Sequence, residues 1–138
     1  MKDNTVFYVA ESTPPDVRDA IAALCAVDPA TILLSPTLGY HWDEPSAYDG
    51  KTLVQFHRYE RGDFTLELEV LLGGRRLSAS DDNVSIFRRL AERLQTRVLF
   101  TNPQDVLMMA DGDAEVRPVT VEFPEEYGVV GPMMRRSP

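Results

Sequence analysis

Between Leu53 and Leu71 apolar and polar residues alternate on either side of Arg61-Gly62-Asp63. A period of two broken by a glycine turn is the pattern of two antiparallel strands joined as a hairpin. The spacing predicts one arm over residues 53–60 and the other over 64–71. In the second arm Phe64, Leu66, Leu68 and Val70 share one face, and Thr65, Glu67 and Glu69 share the other. An apolar sheet face must be covered by another layer, so the rest of the chain has to supply one.

Two segments with helical periodicity can do so. Residues 5–10 (TVFYVA) are β-branched and aromatic and read as a strand. The run Ser12-Thr13-Pro14-Pro15-Asp16 follows, in which Thr13 can accept from a free helix amide, Pro14 has its φ preset for a first turn, and Asp16 complements the positive helix end. Val17, Ala20, Ile21, Leu24 and Val27 then recur on one helical face until Asp28-Pro29, where the residue before proline is driven out of the α region. A second stripe, Val84, Phe87, Leu90, Ala91 and Leu94, follows the polar run 78–83. Strands are expected at 31–34 and 97–101. A second hairpin is expected from 106–110 and 115–123 around Asp111-Gly112-Asp113, with Val119, Val121 and Phe123 facing the core. The resulting order, β-α-β-β-β-α-β-β-β, predicts an α+β fold: a single mixed, mostly antiparallel sheet with two helices on one face. At 138 residues the chain fits one domain, expected over residues 1–123, with a partly ordered tail over 124–138.

Charge narrows the choice of partners. Fourteen basic residues against 22 acidic ones leave a net charge of −8, and the pI is near 4.7. Nucleic acid is bound through a concentrated basic stripe, and Arg75-Arg76, Arg88-Arg89 and Arg135-Arg136 are isolated pairs without interleaved aromatics. A basic protein is the better electrostatic match. No run approaches 18 consecutive apolar residues, so no membrane partner is expected. Cys25 is the only cysteine, which excludes an internal disulfide and a cysteine-based zinc site, and reads as packing beside the first helical stripe. With no signal-like segment at the start, a cytoplasmic location is expected.

Chemistry-bearing residues are few. A strained Gly-x-Ser-x-Gly elbow and an HExxH pair are both missing, and Gly73-Gly74 does not lead straight into a helix as a phosphate loop would. Asp111, Asp113 and Glu115 lack the twelve-residue calcium ligand series and read as a hairpin turn. The segment 35–50 (SPTLGYHWDEPSAYDG) is a long loop rich in aromatics, and long loops in compact domains tend to carry function. Tyr40, His41, Trp42, Asp43, Glu44 and Tyr48 lie there. On the hairpin, Gln55, His57 and Tyr59 alternate opposite Val54 and Phe56, and with Glu67 and Glu69 they form a polar, acidic and aromatic face. Aromatic residues dominate interface energy, so Tyr40, Trp42, Tyr48 and Tyr59 are the expected anchors, with Asp43, Glu44, Glu67 and Glu69 steering a basic partner and His41 and His57 beside them.

The segment 86–121, with Arg88-Arg89-Leu90-Ala91-Glu92-Arg93-Leu94, Val98-Leu99-Phe100, Val106-Leu107-Met108-Met109-Ala110-Asp111-Gly112 and Arg117-Pro118-Val119-Thr120-Val121, resembles the helix, strand and hairpin of small bacterial toxin-immunity-type proteins. It covers about a quarter of the chain, and Asp105-Val106 stands where such hairpins usually begin with an aromatic. The resemblance implies no catalytic residue. It implies a small cytosolic protein that neutralises a toxin domain by binding it. With the acidity, the small size, the missing catalytic motifs and the aromatic loop, the expected function is a non-enzymatic binding protein without a cofactor, a monomer or homodimer that occludes a cognate toxin domain. Two alternatives stand beside it: a small metal-dependent enzyme using His41, Asp43 and Glu44, and a structural or adaptor subunit pairing through a sheet edge.

Overall fold

The computed structural model describes residues 6–36, 52–72, 75–76, 84–113, 115–123 and 129–135. Strands β1 (Val6–Val9), β2 (Ile32–Ser35), β3 (Thr52–Arg58), β4 (Leu66–Leu72), β5 (Arg75–Arg76), β6 (Val98–Thr101), β7 (Leu107–Ala110) and β8 (Val116–Pro118) form one sheet. Its order is β2-β3-β4-β1-β6-β7-β8, with β5 folded back onto the end of β4. Among the described strand pairs of this sheet only β2 and β3 run parallel, and the others are antiparallel. Helices α1 (Pro14–Cys25) and α2 (Val84–Leu94) complete the α+β fold expected from the two periodicities.

The side-chain period of two sorts this sheet into two faces. Phe7 and Val9 of β1, Val54 of β3, Leu66, Leu68 and Val70 of β4, Val98 and Phe100 of β6 and Ala110 of β7 pack with Val17, Ala20, Ile21, Phe87, Leu90 and Ala91 of the helices in one core. Phe87 binds the layers together: its ring stacks on Phe100 at 4.7 Å between centroids and meets Phe7, tilted, at 5.1 Å. The intervening residues Leu99 and Met109 face the other way, where they cluster with Ala10 and Phe64.

Helix α1 ends before the expected Asp28-Pro29 stop, helix α2 ends at Leu94 as its stripe indicates, and both close on a left-handed residue. Thr13 Oγ1 accepts from the Asp16 amide at 3.2 Å and opens α1 as expected. At the other end Ala26 turns left-handed (φ 56°) and the Val27 amide donates to the Ala22 carbonyl at 3.0 Å, so Val27 lies beyond the helix and 38% exposed. Helix α2 closes in the same way. Gln95 has φ 54°, and the amides of Gln95 and Thr96 donate to the carbonyls of Glu92 and Ala91.

Two core expectations are corrected. Phe64 does not share the face of Leu66, Leu68 and Val70. Strand β4 begins only at Leu66, and Phe64 turns to the opposite cluster, where the Arg97 guanidinium lies 5.4 Å from its ring centre. Phe123 is 59% exposed rather than buried. The second hairpin bends after β8, and its continuation β9 (Val121–Glu122) leaves the main sheet to pair with β10 (Met133–Met134). Val119 and Val121 remain half-buried against the Phe64 cluster.

Residues 129–135, within the expected tail, clamp the first hairpin. The Glu60 amide donates to the Val129 carbonyl (2.9 Å) and the Gly131 amide to the Arg61 carbonyl (2.8 Å). The Asp63 and Phe64 amides donate to the Pro132 carbonyl, and the Met134 amide to Asp63 Oδ2 (2.7 Å). Gly62 (φ 126°) and Gly131 sit back to back here, and a Cβ on Gly62 would come within 2.7 Å of the Gly131 carbonyl oxygen.

Candidate functional site on the sheet face away from the helices

Opposite the helices, pairing register places side chains from successive strands in rows. His57 pairs with Glu67, Glu67 with Tyr8, Tyr8 with Leu99, and Leu99 with Met109. A parallel row sets Gln55 against Glu69 and Glu69 against Val6. The alternation that buries Leu66, Leu68 and Val70 thus turns Glu67 and Glu69 to this side, as the sequence indicates.

The two acids have different surroundings. Glu69 is 5% exposed and Gln55 is 2% exposed, so this end of the expected polar face is interior, and Glu69 is not placed to steer a partner from the surface. Glu69 is engaged in polar contact, whereas the Gln55 Oε1 atom is buried without a hydrogen-bond partner among the described residues. Glu67 is half-buried. Its Oε1 accepts from the Tyr59 hydroxyl at 2.8 Å, and Oε2 has no partner among the described residues. Tyr59 follows β3 and continues the hairpin, its amide donating to the Thr65 carbonyl at 2.7 Å. The His57 ring meets the Tyr59 ring edge-on at 4.7 Å. His57, Tyr59 and Glu67 therefore form one contiguous group, in which the tyrosine holds the carboxylate in place.

Beside Glu67 lies a cavity of about 230 Å³ lined by Val6, Tyr8, Thr101, Leu107 and Phe123 together with Glu67 and the Phe100 position. The Tyr8 and Phe123 rings stand 6.1 Å apart and tilted by 59°, forming one aromatic corner. Most of the lining is apolar, and Glu67 supplies its only formal charge among the described residues. Sequence reading missed Tyr8 and Phe123. Tyr8 was recoverable, because Phe7 and Val9 point to the core and the residue between them must point away. Phe123 was not, because a large aromatic in an alternating run reads as core until the strand is known to leave the sheet.

The other candidates separate from this group. Tyr40, His41, Trp42, Asp43, Glu44 and Tyr48 lie outside the described residues, as do Gly73 and Gly74. Carboxylate oxygens of Asp111, Asp113 and Glu115 lie within 4.8 Å of one another at the second hairpin turn. That closeness follows from the turn itself: the Glu115 amide donates to Asp113 Oδ1, the Asp111 amide to the Glu115 carbonyl, and Arg117 lies 3.9 Å from Asp111. Cys25 packs against the helix core. Burial raises its thiol pKa above the ordinary value, partly opposed by the Arg89 guanidinium, which is the wrong direction for an activated nucleophile. No helix among the described residues is long and apolar enough to cross a membrane. Compared with protein-family models, curated proteins and solved structures, the chain matches none.

Proposed function

We propose that the protein is a non-catalytic, acidic binding protein that docks a basic partner on the sheet face bearing His57, Tyr59 and Glu67. The observation that carries this reading is the Glu67 carboxylate, held by the Tyr59 hydroxyl at the wall of an apolar cavity with the exposed Phe123 ring beside it. Interface centres combine aromatic anchors with a few fixed polar groups, and this corner has both. A net charge of −8 adds long-range attraction for a basic surface. The resemblance of residues 86–121 to toxin-immunity-type proteins gives the partner its class: a toxin domain, neutralised by being covered.

The test is calorimetric titration against the C-terminal domain encoded by the reading frame immediately upstream, at two salt concentrations. One-to-one binding that weakens as salt rises is the expected result. Absence of binding, or binding indifferent to salt, overturns the reading.

A further inference from the structure

We propose that the cavity between β4, β1 and β6 is a socket for an alkylammonium group, the end of a lysine side chain presented by the partner. This inference rests on the reading of that face as a docking surface, but it concerns the chemistry of one pocket and can fail alone.

Size comes first. At about 230 Å³ the cavity falls below the roughly 300–1,000 Å³ of pockets that hold drug-sized ligands, so it suits a side-chain-sized group. Its lining then selects the shape of that group. Val6 and Leu107 offer apolar contact to a methylene stem, while Tyr8 and Phe123 offer ring faces, which attract a cation within about 6 Å of a centroid. Glu67 supplies the counter-charge. Because its Oε1 already accepts from Tyr59, the oxygen left open is Oε2. A guanidinium is best matched by two parallel carboxylate oxygens, whereas a compact ammonium needs only one, so the single open oxygen favours lysine over arginine. A neutral apolar occupant would leave a half-buried carboxylate facing it without compensation.

The experiment uses n-butylammonium as probe, followed through the backbone amide signals of Tyr8, Glu67 and Leu107 in the full chain. Saturable shifts at these three positions are expected, with 1-butanol, its neutral counterpart, binding at least tenfold more weakly. Glu67→Gln should weaken butylammonium at least tenfold. Phe123→Ala alters an exposed ring and leaves the Tyr59 hydrogen bond intact, and should weaken it severalfold. Equal binding of 1-butanol, or unchanged binding by E67Q or F123A, overturns the socket, as does the absence of shifts at the three amides. Tighter binding of n-butylguanidinium overturns the assignment to lysine. Partner binding without butylammonium binding removes the socket alone, and butylammonium binding without partner binding keeps the socket and removes the toxin reading.

Discussion

Gly131→Ala is the substitution that most directly separates the clamp from the sheet it holds. A Cβ at this position would collide with the Phe64 carbonyl oxygen and come within 3.0 Å of Tyr59 Cδ2. The first obstacle is backbone, so no rotamer change relieves it, and residues 129–135 must move off the hairpin. Five hydrogen bonds tie the two together, through the amides of Glu60, Asp63, Phe64, Gly131 and Met134. At about 1 kcal/mol each they contribute about 5 kcal/mol gross, part of which is returned as freed chain entropy. A local destabilisation of about 3 kcal/mol is the expected net, equivalent to roughly 100-fold faster exchange of those amides. Amides of the β1–β4 ladder, such as those of Phe7 and Leu68, should keep their protection, because their packing is against the helices. Hydrogen exchange read by NMR decides the matter. Unchanged protection in the clamp would refute the steric argument, and equal loss in the central ladder would refute the claim that the clamp opens by itself. The added Cβ would also crowd the Tyr59 ring, so the variant should bind butylammonium more weakly although Glu67 itself is untouched.

Ala26→Gly should raise stability by about 1 kcal/mol in urea denaturation, because an exposed alanine holds a left-handed φ of 56°. Gln95→Gly relieves a similar φ of 54° but should gain little. Gln95 Nε2 donates to the carbonyls of Glu92 (2.6 Å) and Gly112 (3.1 Å), and those links are lost; a gain matching that of A26G would refute this account. Gln55→Met keeps the length of a 2% exposed side chain and removes a buried oxygen without a partner, so the variant should be as stable as the parent or more so; a loss above about 1 kcal/mol would show that the oxygen is satisfied. Cys25 has a raised thiol pKa in the folded chain, so its contribution to stability is complete below the ordinary thiol pKa of about 8.5 and is lost as pH climbs toward the folded value. Stability of Cys25→Ala should accordingly fall less steeply with rising pH above about 8.5 than that of the parent, and identical slopes would refute the shift.

The layers were legible because burial imposes period on sequence. The stripes Val17-Ala20-Ile21 and Phe87-Leu90-Ala91, and the alternation from Leu66 to Val70, each answer to one neighbouring layer, and all three end in the same core. What escaped reading is what periodicity does not encode. Phe64 sits two residues before its strand begins, so parity assigns it to the wrong face; its backbone is tied to Pro132 and its ring joins Ala10, Leu99 and Met109, all remote in the chain. The same limit applies to Phe123, since a bend after Pro118 turns an apparent core position outward.

The long segment after β2 shows how topology changes the weight of a functional argument. Its length and its aromatic content both suggest function, yet β2 and β3 are parallel neighbours, and parallel strands require a crossover of a dozen or more residues. Residues 36–51 must therefore be long whatever else they do, and length stops being a sign of function there. Glu67 stands on firmer ground. It occupies the middle of a sheet, between His57 and Tyr8 in its row and at the wall of an apolar cavity, where a leucine would carry no cost in desolvation. A carboxylate kept beside an apolar cavity, with a tyrosine oriented toward it, is explained by what it meets rather than by what it packs against. The electrostatic corner formed by Tyr8, Phe123 and Glu67 is thus the part of the molecule that folding physics alone does not require, and on that ground it is where binding should be sought first.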